Sequence, residues 1–98
     1  MNMNQMMKQV QQMQEDLHKQ MGKTKVEATA GGGMVTVVMN GNKQVEKITL
    51  DPEVVSKDDV EMLQDLILAA LADAHRKAED AMKSHVGGML GGMRIPGM

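Results

Sequence analysis

Apolar side chains recur at alternating spacings of three and four through the opening of the chain, at Met3, Met6, Val10, Met13 and Leu17, with Gln, Glu, Asp and Lys between them. That period belongs to an α-helix with one narrow apolar seam. Met7 and Met21 widen the seam, and Gly22 is placed to stop the helix. The pattern then changes. Residues 24–30, 34–40 and 43–50 are rich in Val, Thr and Ile and are separated by Gly31-Gly32-Gly33 and Asn40-Gly41-Asn42, which predicts a three-stranded antiparallel meander. Val26, Ala28 and Ala30 alternate with Lys25, Glu27 and Thr29 as in a half-exposed strand. The middle strand, with Met34, Val35, Val37, Val38 and Met39, is apolar on nearly both faces and predicts cover on both.

Asp51-Pro52-Glu53 breaks the sheet, because the residue before a proline avoids the helical region and Asp51 is placed to cap a short turn. Ser56 followed by Asp59 resembles a capping box. From there Val60, Leu63, Ile67, Ala70, Ala74, Ala78, Ala81 and His85 repeat at three and four, so a second helix is expected from about residue 56 to 86, ending at Gly87-Gly88. The order is αβββα, an α+β domain over residues 1–86, and residues 87–98, with Gly, Met and Pro but no polar–apolar period, read as a flexible tail. Such a helix is ~45 Å long while the strands span only ~25 Å. The overhanging ends, the start of helix 1 and the end of helix 2, are expected to pair antiparallel into one prong.

Composition narrows what this domain does. Of the 98 residues 42% are apolar and 24% charged, enough for a globular fold, but there are 13 Met and no Phe, Tyr or Trp, so the core is aliphatic and plastic. Nucleic-acid readers that stack bases on aromatic rings are excluded. The absence of Cys removes disulfides, thiolate nucleophiles and Cys-based zinc sites, and a cytoplasmic location is the default. The net charge of −2 hides an asymmetry: residues 1–47 hold six Lys against four acids, and residues 48–98 five Lys or Arg against nine acids. No window approaches the roughly 18 apolar residues of a membrane span, and the start of the chain lacks the order of a signal peptide. A ~100-residue chain buries only about two-thirds of its unfolded surface, and the seam on helix 1 demands cover, which predicts a second copy.

The opening helix MMKQVQQMQEDL, the hairpin GGGMVTVVMNG, the strand and turn VEKITLDPEVV, the helix DDVEMLQDLILAALADAHRKAED and the tail ending in RIPGM together resemble the YbaB/EbfC nucleoid-associated proteins across residues 4–98. The resemblance implies a tweezers-like homodimer that binds double-stranded DNA with little demand for sequence, in a bacterial cytoplasm at the nucleoid. The neutral start Met1-Asn2-Met3-Asn4 departs from the short basic or Gly-rich leader frequent in that family.

Lys8 on helix 1 and Arg76, Lys77 and Lys83 on helix 2 map to the expected prong, near His75 and His85. They serve either as flexible cations for phosphate contact or as a solvated face laced with salt bridges, Glu79 and Asp80 lying among them; the resemblance favours the first. Lys19, Lys23 and Lys25 continue such a track or simply complement a helix C-terminus. Asp51, Glu53, Asp58, Asp59, Glu61 and Asp65 form an acidic patch that faces away from DNA and suits a helix N-terminus better than a metal, since the EF-hand ligand order is missing. Met3, Met6 and Met7, with Met89 and Met93 in the tail, echo thioether clusters for Cu(I), or fill an adaptable seam. The triple glycine opens onto a strand and lacks a P-loop Lys, and neither His18, His75 and His85 nor Ser56 and Ser84 form a metal pair or nucleophile–base couple. The reading is therefore a non-enzymatic DNA binder without cofactor, metal, membrane or small-molecule substrate; the alternatives are an oligomeric scaffold or adaptor whose Met-rich seam docks partner helices, and a Met-based copper carrier.

Overall fold

The computed structural model of the chain describes residues 2–91, the last three by backbone alone. The side-chain oxygen of Asn2 accepts the Gln5 amide at 2.9 Å, and from this cap α1 runs Met3–Lys23. Gly22 lies inside its last turn. Thr24 ends the helix instead: it adopts an extended conformation, and its amide and hydroxyl both donate to the Gln20 carbonyl oxygen, so the terminal carbonyls are satisfied without a left-handed glycine.

The strands β1 (Lys25–Ala30), β2 (Val35–Asn40) and β3 (Val45–Leu50) form the expected antiparallel meander with β2 in the middle. Gly31, Gly32 and Gly33 all have positive φ at the first turn, which only glycine adopts without strain. A register shift between Val38 and Met39 leaves Glu46 as the extra residue on β3, so that Val45, opposite Met39, shares a face with Ile48, opposite Val37. At the end of β3 the Asp51 carboxylate accepts the Glu53 amide at 3.0 Å and caps the short 3-10 turn Pro52–Val54. Ser56 caps a turn rather than a helix, its hydroxyl oxygen accepting the Asp58 amide, and α2 starts four residues later than Ser56, running Val60–Gly91.

Helix α2 lies along β1 and β2. Ala70, Ala74 and Ala78 are fully buried against Ala28, Val35, Val37 and Met39, with Leu63, Leu66, Ile67 and Leu71 around the margin. The domain is thus two layers, one helix on one sheet. The double cover expected for β2 is absent: Val35, Val37 and Met39 face α2, whereas Thr36 and Val38 are only half-buried on a face shared with Lys25, Glu27, Thr29, Lys47 and Thr49. Those polar neighbours explain why a single helix layer suffices.

At 32 residues α2 is about 48 Å long, and it continues through Gly87 and Gly88, where the sequence predicts a stop. Glycine lowers helix stability by only about 1 kcal/mol and prohibits nothing, and both positions are solvent-exposed. The expected flexible tail therefore begins with five helical residues, and the rest of it, 92–98, lies outside the described residues. The expected prong does not form within one chain. Among the described residues α1 and α2 make no extensive contact, and the molecule is elongated, with extents of 65 × 32 × 17 Å.

Candidate nucleic-acid interface

One end of the sheet anchors α1. Asn40, buried at the end of β2, accepts the amides of Asn42 and Gln44 on its side-chain oxygen at 2.9 and 3.0 Å and donates to the Gln44 side chain at 2.8 Å, which fixes the turn. Gly41 then donates its amide to the carbonyls of Met21 and Thr24, and Asn42 donates from its side chain to the His18 carbonyl at 3.0 Å. A Cβ at Gly41 would sit 2.8 Å from the Met21 sulfur, so glycine is what lets the helix end seat on the turn. Met21 is the one buried side chain of α1.

Above Met21 the helix projects into solvent with two distinct faces. Met3, Met7 and Val10 stand on the same face as Met21, flanked by Met6, Met13 and Leu17, and all but the half-buried Leu17 are exposed. On the opposite face Lys8, Lys19 and Lys23 fall within about 60° of arc. They share it with Glu15 and Asp16, and no ion pair involves them among the described residues. The sequence pattern groups Lys19 and Lys23 separately at the helix C-terminus, although their spacing from Lys8 already places them in line with it.

The four expected DNA-contacting residues divide into two kinds. Lys8 is exposed on α1. Lys83 is exposed on α2, and it lines a shallow concavity with Gly41, Asn42, Lys43, Glu79 and Met82 at the anchoring end of the sheet. Glu79 stands four residues before Lys83, but the two form no ion pair among the described residues. Arg76 and Lys77, in contrast, are engaged. Arg76 donates to Asp73 and reaches Asp80 at 3.5 Å, and Lys77 donates to the Glu27 carbonyl of β1 at 2.9 Å and stands 3.7 Å from Asp73. The Arg76 hydrogen bond, reinforced by the charges of Arg76 and Lys77, holds the Asp73 carboxyl below its ordinary value, and the same bond to Asp73 raises Arg76. Lys43, expected on β3, instead occupies the turn before it, with φ of 66°, beside Lys83. Only the tertiary structure brings these two together.

The acidic residues collect at the other end. Leu66 lies over Gly31, so the first turns of α2 reach the start of the triple-glycine turn, far along the helix from Lys83, and Asp58, Asp59 and Glu61 border a concavity at the start of α2 with Lys57, Val60 and Met62. Among the described residues no three His, Cys, Asp or Glu side chains gather as a metal site, and no helix is long and apolar enough to cross a membrane. Met3, Met6 and Met7 line an open apolar concavity with Val10 and Gln11.

The chain is thus a two-layer α+β body with a projecting helix that is apolar on one face and cationic on the other. Residues 1–93 match the model of the YbaB/EbfC DNA-binding family, and the chain belongs to that family of nucleoid-associated DNA-binding proteins. It is 54% identical over 96 residues to a nucleoid-associated protein of Koribacter versatilis, the match covering 98% of this chain and 95% of that one. A nucleoid-associated protein of Alkaliphilus metalliredigens is 52% identical over 100 residues, with 99% and 88% covered. The crystal structure of an uncharacterized protein of Helicobacter pylori superposes with a TM-score of 0.72 at 26% identity, over 92% of this chain and 98% of that one.

Proposed function

We propose that the chain acts as a homodimer that binds double-stranded DNA with little demand for sequence, a second copy covering the apolar face of α1 while the opposite face presents lysines to phosphate. The observation that carries this reading is the division of one projecting helix into an uncovered Met/Val face and a face bearing Lys8, Lys19 and Lys23. The apolar face continues the contact that Met21 already makes with the sheet end, and a copy of the same chain supplies a matching seam. Lysine ammonium groups on flexible stems recognise phosphate as point charges and carry no base code, and the chain has no Phe, Tyr or Trp ring on which to stack a base. Lys8 and Lys83 are the foremost phosphate-binding side chains, with Lys19, Lys23 and Lys43 extending the track. Arg76, paired with Asp73 and Asp80 within α2, and Lys77, paired with Asp73 and bonded to β1, contribute less, since those carboxylates already offset their charge.

The test is a fluorescence anisotropy titration of unrelated duplexes at several salt concentrations. Lys8→Glu with Lys83→Glu is expected to weaken binding on every duplex and to flatten the log–log salt slope by roughly 0.9 for each phosphate that is no longer neutralised. Lys47→Glu with Lys57→Glu changes net charge equally, on the polar sheet face and in the acidic patch, and is expected to have a small effect. Equal losses from both pairs would show that overall charge, not the placement of Lys8 and Lys83, governs binding.

A further inference from the structure

The chain holds 13 Met and no Cys, Tyr or Trp, so thioethers are its principal targets for two-electron oxidants. Among the described side chains, beside the partly exposed Met34, Met62 and Met82, two sets stand apart. Met21 and Met39 are each 1% exposed, sealed at the arm's anchor and in the core under α2. Met3, Met6, Met7 and Met13 are 77%, 53%, 58% and 55% exposed, and with Val10 they make up the uncovered face of α1.

We propose that Met3, Met6, Met7 and Met13 form a redox-modification site: a peroxide-type oxidant converts them to sulfoxides in the free chain, and the oxidised face no longer docks a second copy. This rests on the dimer reading above. In each event the sulfur lone pair attacks one oxygen of hydrogen peroxide, the S–O bond forms as the O–O bond breaks, and sulfur gives up two electrons. The departing hydroxide takes the proton from the sulfur-bound oxygen and leaves as water. A flexible apolar side chain becomes a polar one with a strong hydrogen-bond acceptor, which an apolar seam leaves unpaired on burial. Docking and oxidation therefore compete for the same sulfurs: the dimer shields them, and the sulfoxide holds the chain as a monomer. Return requires a dithiol reductase, two thiols becoming a disulfide as the sulfoxide oxygen leaves as water; with no Cys, this chain cannot supply the thiols itself.

The experiment treats the full chain with hydrogen peroxide, reads every methionine by peptide mass spectrometry, and follows dimerisation by sedimentation velocity and duplex binding by anisotropy. At low protein concentration the four arm methionines are expected to oxidise roughly tenfold or more faster than Met21 and Met39, and at high concentration to be protected. Complete oxidation is expected to weaken the dimer and DNA binding by roughly tenfold or more, and treatment with methionine sulfoxide reductases to restore both. The variant with Met3→Leu, Met6→Leu, Met7→Leu and Met13→Leu keeps an apolar face without oxidisable sulfur, so it is expected to retain dimer and DNA binding after the same treatment. The proposal is overturned if the four oxidise no faster than the buried pair, if the sulfoxidised chain dimerises as before, or if the leucine variant loses its dimer on oxidation. A chain that is monomeric before oxidation removes the dimer reading and this proposal with it, whereas a dimer indifferent to sulfoxidation removes the proposal alone.

Discussion

Both helices carry apolar residues at spacings of three and four, yet α2 buries Ala70, Ala74 and Ala78 completely while α1 buries Met21 and leaves the rest of its apolar face in solvent. The difference lies in side-chain size as much as in position. Alanines on α2 let its backbone lie close on Ala28, Val35 and Val37, and a surface so fitted has one partner. The methionines of α1 are long and unbranched, suited to a surface that has to be met rather than built in. The same periodicity thus marks a core helix in one region and an arm in the other.

The sharpest way to break that comparison is to place a carboxylate on each helix. Ala74→Asp puts an unpaired charge where no solvent reaches, a cost of the order of the ~5–15 kcal/mol that holds a domain together, so no cooperative thermal transition is expected. Val10→Asp in dilute protein is expected to shift the transition little while abolishing the dimer in sedimentation. A body that unfolds equally with Val10→Asp would mean that α1 belongs to the core after all. Smaller in effect, Gly41→Ala attacks the joint between the regions: its Cβ meets the Met21 sulfur and carbonyl, and a loss of ~1–3 kcal/mol is expected by thermal denaturation. Amide exchange should rise more at residues 18–24 than at 70–78. A uniform rise would show that arm and body open as one unit.

The smallest expected effect on folding comes from Asp73→Asn, which removes the carboxylate shared by Arg76 and Lys77 on the body, leaving Arg76 with Asp80 and Lys77 with the Glu27 carbonyl, without touching the arm. DNA binding is expected to tighten modestly with little change in the thermal midpoint; no gain would leave Lys8, Lys83 and the lysines beside them as the electrostatic contributors. Because the Arg76 contact depresses Asp73 below the ordinary value of 3.8, the stability this pair contributes is complete above that pH and is lost as pH falls through the lowered value. Circular dichroism of α2 against pH should show that acid limb in the wild type, and Asp73→Asn should lack it.

Glycine is weaker punctuation than the sequence pattern suggests. Gly22 and Gly87-Gly88 all sit within helices, since a glycine ends a helix only where the next residues turn left-handed or extended, and at α1 it is Thr24 that does so. The triple glycine was legible because three consecutive positive φ angles leave no other residue type. The paired cations were half legible. Arg76 with Asp73 and Asp80 follows from helical spacing alone, whereas the hydrogen bond from Lys77 to the Glu27 carbonyl spans fifty residues and exists only once α2 is laid on β1.

What the sequence by itself determined is whatever depends on neighbours in the chain: the αβββα order, the meander, the Asp51 cap, and the apolar and cationic faces of α1, since periods of two and 3.6 are local properties of the backbone. What only the tertiary structure decided is which of those faces is covered. Among the described residues α2 covers one side of the sheet and α1 none, so β2 is buried on a single face and the two overhanging helices do not pair within one chain. Lys43 comes to lie beside Lys83, and Met21 and Met39 are sealed while the methionines of the arm stay open. Burial is a property of pairs of surfaces brought together from distant parts of the chain, and a pattern along one element states what that element offers without stating what will meet it.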